Sequence, residues 1–436
     1  MPPNTDSVKH RTSLNFKYPR NRDTSWKTGD NWLDDKRNDD GAEGLWRVHN
    51  KLYDLTDFIN KHPGGPMWLE LTKGTDITEA FESHHLTSGP EEMLKKHFIR
   101  EAKTPRNSPF TFKEDGFYRT LKRNIRPILK EVPKGTSKAS DRIIDSLLLG
   151  TFVFAILANI FRSYLFGMIS GALLACNTVA AHNYFHRKDN FRMYYFNFSL
   201  MYFRDWRITH ALSHHLFPNT IIDIEITFIE PFIEYLPKKK HFLVKYGSWV
   251  YVVFIWLTLF LVSFVTRVLQ YIYLKDTRGL HWSEIIPFTL PLSMYLVSGQ
   301  PLLLTIGMWL FIVTFGSLWF GVVGFNAAHH APEIFHDGDA PRAKTDIDWG
   351  VHQLDAISER HDIKGSPFLV LTNFGDHALH HMFPTLDHGT LEHLYPIFNK
   401  TMKQFNLDLR MRSQLQMVKG QFMQLAKDKP NPIPPK

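Results

Sequence analysis

Eight histidines stand in three tight groups: HNYFH (His182, His186), HALSHH (His210, His214, His215) and HALHH (His377, His380, His381). On a helix, positions i, i+3 and i+4 share a face. At that spacing His182 and His186 point the same way, and His377, His380 and His381 converge. His210 and His214 align too, whereas His215 points elsewhere unless the helix breaks before Pro218. Neutral imidazoles suit zinc, iron, copper or nickel. Eight are too many for one ion, so a dinuclear centre is the economical expectation.

The elements that must position them are membrane helices. SLLLGTFVFAILANIF and YLFGMISGALLACNTVAA are separated only by Arg162 and Ser163, a third apolar run starts at Trp249, and a fourth region extends from Ile285 to Phe325. A bilayer span needs roughly 20 apolar residues. A large soluble protein could bury one such run, but hardly four. The fourth region could split at Gly299–Pro301 into two short passes, which would strand HALHH on the far side. One full span over about 303–325, preceded by a re-entrant or membrane-surface piece, keeps the histidine groups together. The basic segments HRKDNFR, FRDWR and PKKKHFLVK lie between the second and third runs, so that loop is expected on the cytoplasmic side, against a single Arg162 opposite.

The rest of the 436 residues divides by composition. Residues 1–40 are polar, with apolar residues scattered singly, and are expected to be a largely disordered tail. Residues 41–105 form a small α+β unit, with strand-like alternation flanking Asn50-Lys51 and short helices at MWLEL and ITEAF. Residues 106–140 are a linker and a basic amphipathic helix with Phe117, Leu121, Ile125 and Ile128 on one face, fit for a membrane surface or an ordinary protein surface. The membrane unit occupies 141–400, and 401–436 form a C-terminal helix and tail. A single cysteine, Cys176, excludes an intrachain disulfide framework and fits a reducing compartment. The first residues hold no apolar core of a cleavable signal peptide. The net charge of +8 calls for an anionic partner; the basic residues flank the membrane runs, so no nucleic-acid partner is expected.

The α+β unit carries a second chemical feature, HPGG (His62–Gly65), followed by FESHH with His84 and His85. Gly64 and Gly65 permit a tight turn with no side chain between the backbone and a flat ligand. Phe58, Ile59, Trp68, Leu69, Leu71, Ile77 and Phe81 could line an apolar slot, or could simply be a core.

Residues 45–100, with LYDLTDFINKHPGG, closely resemble cytochrome b5. The resemblance implies haem b held by two axial histidines, His62 and a residue four after Phe81, His85, with His84 as the alternative. A haem with both axial positions filled moves electrons, and zinc has no use for electrons. Residues 141–400, with the three histidine groups in order, resemble the integral-membrane fatty acid desaturases. That likeness implies two Fe ions held by His182, His186, His210, His214, His215, His377, His380 and His381. It also implies about four transmembrane helices, a cytosolic helical cap and a tunnel for a lipid acyl chain. HHMFPT looks like the third box of desaturases fused to cytochrome b5; front-end members usually start it with Gln, where this chain has His377. Acyl-CoA desaturases carry an Asn and a His at a spacing similar to Asn326 and His330, which favours His330 over His329 as an additional iron-sphere group. Asp205, Asp223 and Asp376 are candidates, by nearness in sequence, to hold the outer imidazole nitrogens. The fold expected is thus multidomain, a haem domain followed by an all-α membrane domain. The function implied is O2-dependent introduction of a double bond into the acyl chain of an acyl-CoA, phospholipid or sphingolipid. Electrons would come from NADH through cytochrome b5 reductase, in the endoplasmic reticulum membrane, with haem and histidine boxes cytosolic. A di-iron lipid hydroxylase or a membrane-tethered haem electron carrier are the alternatives.

Overall fold

In the computed structural model, residues 10, 12–133 and 135–435 are described. The haem-like unit opens with the strands Trp46–Val48 and Lys51–Tyr53, paired antiparallel with Val48 opposite Lys51 across the expected turn. Phe98–Glu101 returns to pair with the second strand. The short helices Pro66–Thr72 and Thr78–His84 pack on this sheet, and Trp46, Leu55, Leu69, Ile77, Phe81 and Leu94 form its own core. The Asp76 carboxylate accepts from the Thr78 amide and hydroxyl at the start of the second helix.

Four helices are long and apolar enough to cross a membrane: Thr136–Phe161, Tyr164–Phe185, Leu243–Leu274 and Leu302–Gly324. Their outward faces carry Leu149, Phe161, Leu165, Val250, Phe254 and Leu303, all exposed, as a lipid-facing surface requires. The first pair is an antiparallel hairpin turned at Arg162 in a left-handed conformation (φ 50°). Tyr164–Phe185 and Leu302–Gly324 touch backbone to backbone: a Cβ on Gly171 would lie 2.7 Å from the Ile312 carbonyl oxygen. Small residues let spans approach this closely. The piece before the last span is a separate helix, Thr289–Ser298, ended by Gly299. Ion pairs tie the two ends of the third apolar run to other parts of the protein, Lys245 to Asp428 and Arg278 to Asp34.

The amphipathic helix Phe117–Glu131 turns its apolar face inward. Phe117, Leu121 and Ile125 are fully buried, with Phe117 edge-on to Phe405, so this face covers protein and not membrane.

The N-terminal stretch departs from expectation. Residues 1–9 and 11 lie outside the described residues, but most of the remainder to 40 is ordered against the membrane unit. Leu14 and Phe16 are buried, and Phe16 packs edge-on against Phe110 and Phe217. Thr12 and Ser13 donate to the buried Asp337 carboxylate. Thr28 caps the helix Gly29–Asp39, whose Trp32 donates from Nε1 to the Ile222 carbonyl at 2.7 Å. Leu14, Phe16, Trp32 and Leu33 join one large core with the membrane unit at irregular spacing, so no periodicity marks their order.

Candidate functional site: a haem slot beside a nine-histidine cluster

The α+β unit encloses a cavity of about 660 Å³ lined by Phe58, His62, Trp68, Phe81, His84 and His85. The rings of His62 and His85 lie 6.2 Å apart between centroids, with their planes at 79°. Two imidazoles bound through nitrogen at roughly 2 Å on opposite sides of one iron put their centroids about 6.4 Å apart, so the slot fits haem. Each Nδ1 meets a backbone carbonyl, of Gly65 for His62 at 2.9 Å and of Phe81 for His85 at 3.0 Å. Both Nε2 atoms are thereby left for the slot. Burial lowers His85 to about 4, keeping it in the neutral form that ligates. His84 turns aside onto Trp68 at 5.5 Å.

The two glycines of HPGG serve a further purpose. Gly65 has φ 108°, and a Cβ there would lie 2.1 Å from the Asp189 carboxylate of the membrane unit. The Asp189 amide donates to the Gly64 carbonyl at 3.0 Å. Asp189 pairs with the buried Arg207 at 2.7 Å, whose guanidinium lies 4.6 Å over the Trp68 ring. The turn is therefore a docking face as well as a wall of the slot.

Across that interface nine imidazoles gather, none more than 6% exposed. Their nitrogens form two groups, each with its members within 4.8 Å of one another: His182, His186, His210, His215 and His380, and His214, His329, His377 and His381. All eight histidines expected from the sequence are brought together. The ninth is His329. Its Nε2 lies 2.7 Å from that of His377 and 3.2 Å from that of His381. His330, favoured from the sequence, instead stacks on Tyr235 at 3.5 Å, and Asn326 donates back to the Val322 carbonyl and joins neither group. One residue of difference at the end of a span reverses which side chain faces inward.

His215 joins through backbone geometry. Arg207–His214 is a π-helix, and the His215 amide donates to the His210 carbonyl at 2.8 Å, an i→i+5 bond. This puts the Nε2 atoms of His210 and His215 3.0 Å apart and sends His214 to the other group. The α-helical spacing assumed from sequence gives the opposite result. In the third box the i,i+4 pair His377 and His381 enters one group and His380 the other, where its Nε2 is 2.9 Å from that of His182.

The outer nitrogens show why the cluster fits metal. His214 Nδ1 is 2.9 Å from the Asp223 carboxylate, His210 Nδ1 2.9 Å from Glu225, and His381 Nδ1 3.0 Å from the Gln353 amide oxygen. Of the three aspartates expected here only Asp223 reaches a ring. Asp205 bonds to no imidazole, and the Asp376 backbone carbonyl, not its carboxylate, accepts from the His380 amide. With the outer nitrogen engaged, Nε2 points inward. Burial and neighbouring imidazoles hold His215, His377, His380 and His381 well below their ordinary range. Nitrogens 2.7–3.2 Å apart are where ligands roughly 2.1 Å from a shared ion at right angles would sit. Without a cation, such packing of buried, partly unpartnered imidazoles would be costly.

Beside the cluster is a second cavity of about 210 Å³, onto which His210, His214, His329 and His377 open. Its other walls come from Leu259 and Val262 of the third apolar helix, and from Phe320 and Phe374.

The slot with its paired histidines, the nine-histidine cluster and the four apolar helices define a membrane protein with a candidate haem site beside a candidate metal centre. Residues 33–103 match the cytochrome b5-like heme/steroid binding domain and residues 160–413 the fatty acid desaturase family, and the chain belongs to the fatty acid desaturase family with a fused cytochrome b5-like domain. It is 43% identical to the cytochrome b5-related protein of Drosophila melanogaster, over 98% of each chain. It is 25% identical to the probable Delta(5) fatty acid desaturase C of Dictyostelium discoideum, over 86% of this chain and 90% of that one. Human cytochrome b5 type B matches at 43% over 15% of this chain and 42% of its own. No solved structure matches the chain significantly.

Proposed function

We propose that this protein introduces a double bond into a lipid acyl chain, using dioxygen at a di-iron centre and electrons from its own haem domain. The observation that carries the reading is His186, which belongs to the five-histidine group and also lines the haem slot with Arg187, Lys188, Leu212 and Thr385. Donor and acceptor sites share a wall. A zinc centre would have no use for such a neighbour.

His62 and His85 are the proposed axial residues, and the eight box histidines with His329 the proposed iron ligands. Bound iron would supply the oxygen chemistry that removes hydrogen from unactivated carbons, and bound haem would supply single electrons. Overall, one dioxygen, two electrons and two protons combine with the two hydrogens lost from adjacent carbons, giving one double bond and two waters. The chain holds its part of this in fixed geometry. Asp223, Glu225 and Gln353 orient their imidazoles. Phe320 and Phe374 wall the cavity beside the cluster, keeping the reacting carbons apart from water. Asp189 and Arg207 fix the haem domain against the membrane unit. NADH-dependent cytochrome b5 reductase is the proposed electron source. The proposed location is the endoplasmic reticulum membrane, multi-pass, with haem and iron facing the cytosol, as the basic loop favours.

Expression in desaturase-deficient yeast followed by lipid profiling tests this reading. New double bonds should appear, and should vanish in His381→Ala. An unchanged profile from protein shown to contain iron and haem would sink it.

A further inference from the structure

The small cavity has an end that the metal chemistry does not use. Lys27, Thr28, Gly29 and Asp30 form part of its wall there, together with Asp205, Thr209, Thr266, Arg267 and Gln270. Residues 27–30 precede both family matches, which begin at 33 and 160, whereas the other residues of this wall lie within the second.

The cations at this end are all engaged. Lys27 donates to the Thr227 carbonyl at 2.6 Å and lies 3.6 Å from Glu230. Arg204 is held by Asp30 through two bonds of 2.9 and 3.0 Å. Arg267 donates to Glu284 at 2.9 Å and to the Leu200 carbonyl at 3.1 Å. Asp205 differs in having ion-pair contacts but no hydrogen bond. Its carboxylate comes no nearer than 3.8 Å to Arg204 and Arg267, and among the described residues no hydrogen-bond donor is recorded on it. Its side chain keeps 37% of its accessible surface, against 8–10% for Asp30 and Arg204 and 6% for Arg267. It faces the cavity as an acceptor with two guanidiniums at 3.8 Å and no hydrogen bond of its own among the described residues.

We propose that Asp205 is a specificity-determining residue that receives the polar end of the lipid, selecting one that donates a hydrogen bond, as a hydroxyl, amide or amine does, over a carboxylate or phosphate. The inference rests on the desaturase reading for the idea that a lipid occupies this cavity. An anionic end group would meet a carboxylate in a place where every nearby guanidinium and ammonium already donates to another acceptor. A donor would complete the one open bond, and charge-assisted bonds of this kind are among the stronger ones. The N-terminal segment sets this polarity. By taking two hydrogen bonds from Arg204, Asp30 leaves that guanidinium in ion-pair contact with Asp205 at 3.8 Å but not hydrogen-bonded to it.

The test uses the purified full-length protein, with haem and iron, in detergent micelles. Hexadecylamine, hexadecanol and hexadecanoate share a chain and differ only at the polar end, and their binding is followed by tryptophan fluorescence. The amine and alcohol should bind the wild type at least about tenfold more tightly than the acid, in line with one charged hydrogen bond. Asp205→Asn should bring the three within about threefold. Asp30→Asn should shift the order in the same direction by freeing Arg204. Monodisperse elution with iron and haem both retained reports that each variant is folded, and if neither folds, the wild-type order decides alone. Equal binding of acid and amine by the wild type, or a preference that survives Asp205→Asn, overturns the assignment. Binding needs no turnover. A protein that shows the preference but forms no double bonds refutes the desaturase reading and leaves Asp205 in place, while one that desaturates without the preference refutes only the role of Asp205.

Discussion

The haem slot draws both of its imidazoles from one stretch, His62 to His85, and leans each on a backbone carbonyl. The neighbouring cluster draws nine from four stretches between His182 and His381 and leans three on side chains, Glu225, Asp223 and Gln353, with His329 and His377 on backbone carbonyls. The contrast follows from what each must hold. A haem would be gripped over its whole apolar face, so its ligands would need only orientation, which a carbonyl gives. Iron ions have no apolar body, and their retention would rest on imidazoles whose basicity a carboxylate raises. The first site can therefore form within a small domain, whereas the second exists only when the whole membrane unit is assembled.

The largest expected effects separate the two sites. His215→Ala should abolish double-bond formation and reduce iron below two per chain while leaving the b-type spectrum intact. His62→Ala should do the converse, losing the spectrum and keeping the iron. If either variant lost both groups, the sites would be one cooperative unit and the contrast would fail. A smaller but sharper effect concerns the last span. His329→Ala should lower activity at least about 100-fold and His330→Ala less than about fivefold, since only the first ring faces the cluster. Equal effects would remove His329 from the ligand set. Asp223→Asn should weaken iron retention by about 10–100-fold, read as iron lost to a chelator over time, with the haem spectrum unmoved.

The same contrast explains what could be read from residue order. HPGG and FESHH carry the slot because a local site leaves a local pattern. The three boxes carry the existence of the cluster, but not its partition, since the π-helix at Arg207–His214 changes which of His214 and His215 meets His210. Periodicity assumes an α-helix, and nothing in ITHALSHH announces the wider turn. His329 and His330 are adjacent, and only the rotation of Leu302–Gly324 and the chain after it chooses between them. Glu225 was missed because its relation to His210 lies across a loop. Gly65 was taken for a ligand wall, but its bare Cα also accommodates Asp189, a contact between residues far apart in the chain.

The smallest effect concerns how the two sites are held side by side. Glu82, in the helix that leads to His85, has a side chain only 1% exposed and pairs with Lys122 at 3.2 Å and with Arg119 of the helix Phe117–Glu131. His49 Nε2 lies 2.9 Å from the same carboxylate. Burial alone would push this carboxyl up, but the hydrogen bond with His49 and the charges of Lys122 and Arg119 outweigh it and hold it at about 2. A carboxyl depressed in the folded state from an unfolded value near 4.3 stabilises fully above about pH 4.3, and that contribution fades as pH falls toward 2. The shift corresponds to about 3 kcal/mol at neutral pH. Glu82→Gln removes the charge, so the stability gap between wild type and variant should be on the order of 3 kcal/mol at pH 7 and narrow by about 1 kcal/mol by pH 3.5. Denaturant unfolding followed at the haem absorbance measures it, and comparing the two proteins at each pH cancels the titration of every other group. A gap that stays constant over this range would mean that Glu82 acts through its hydrogen-bonding shape and not its charge. The haem domain would then be docked mainly by Asp189, Arg207 and the bare turn at Gly65.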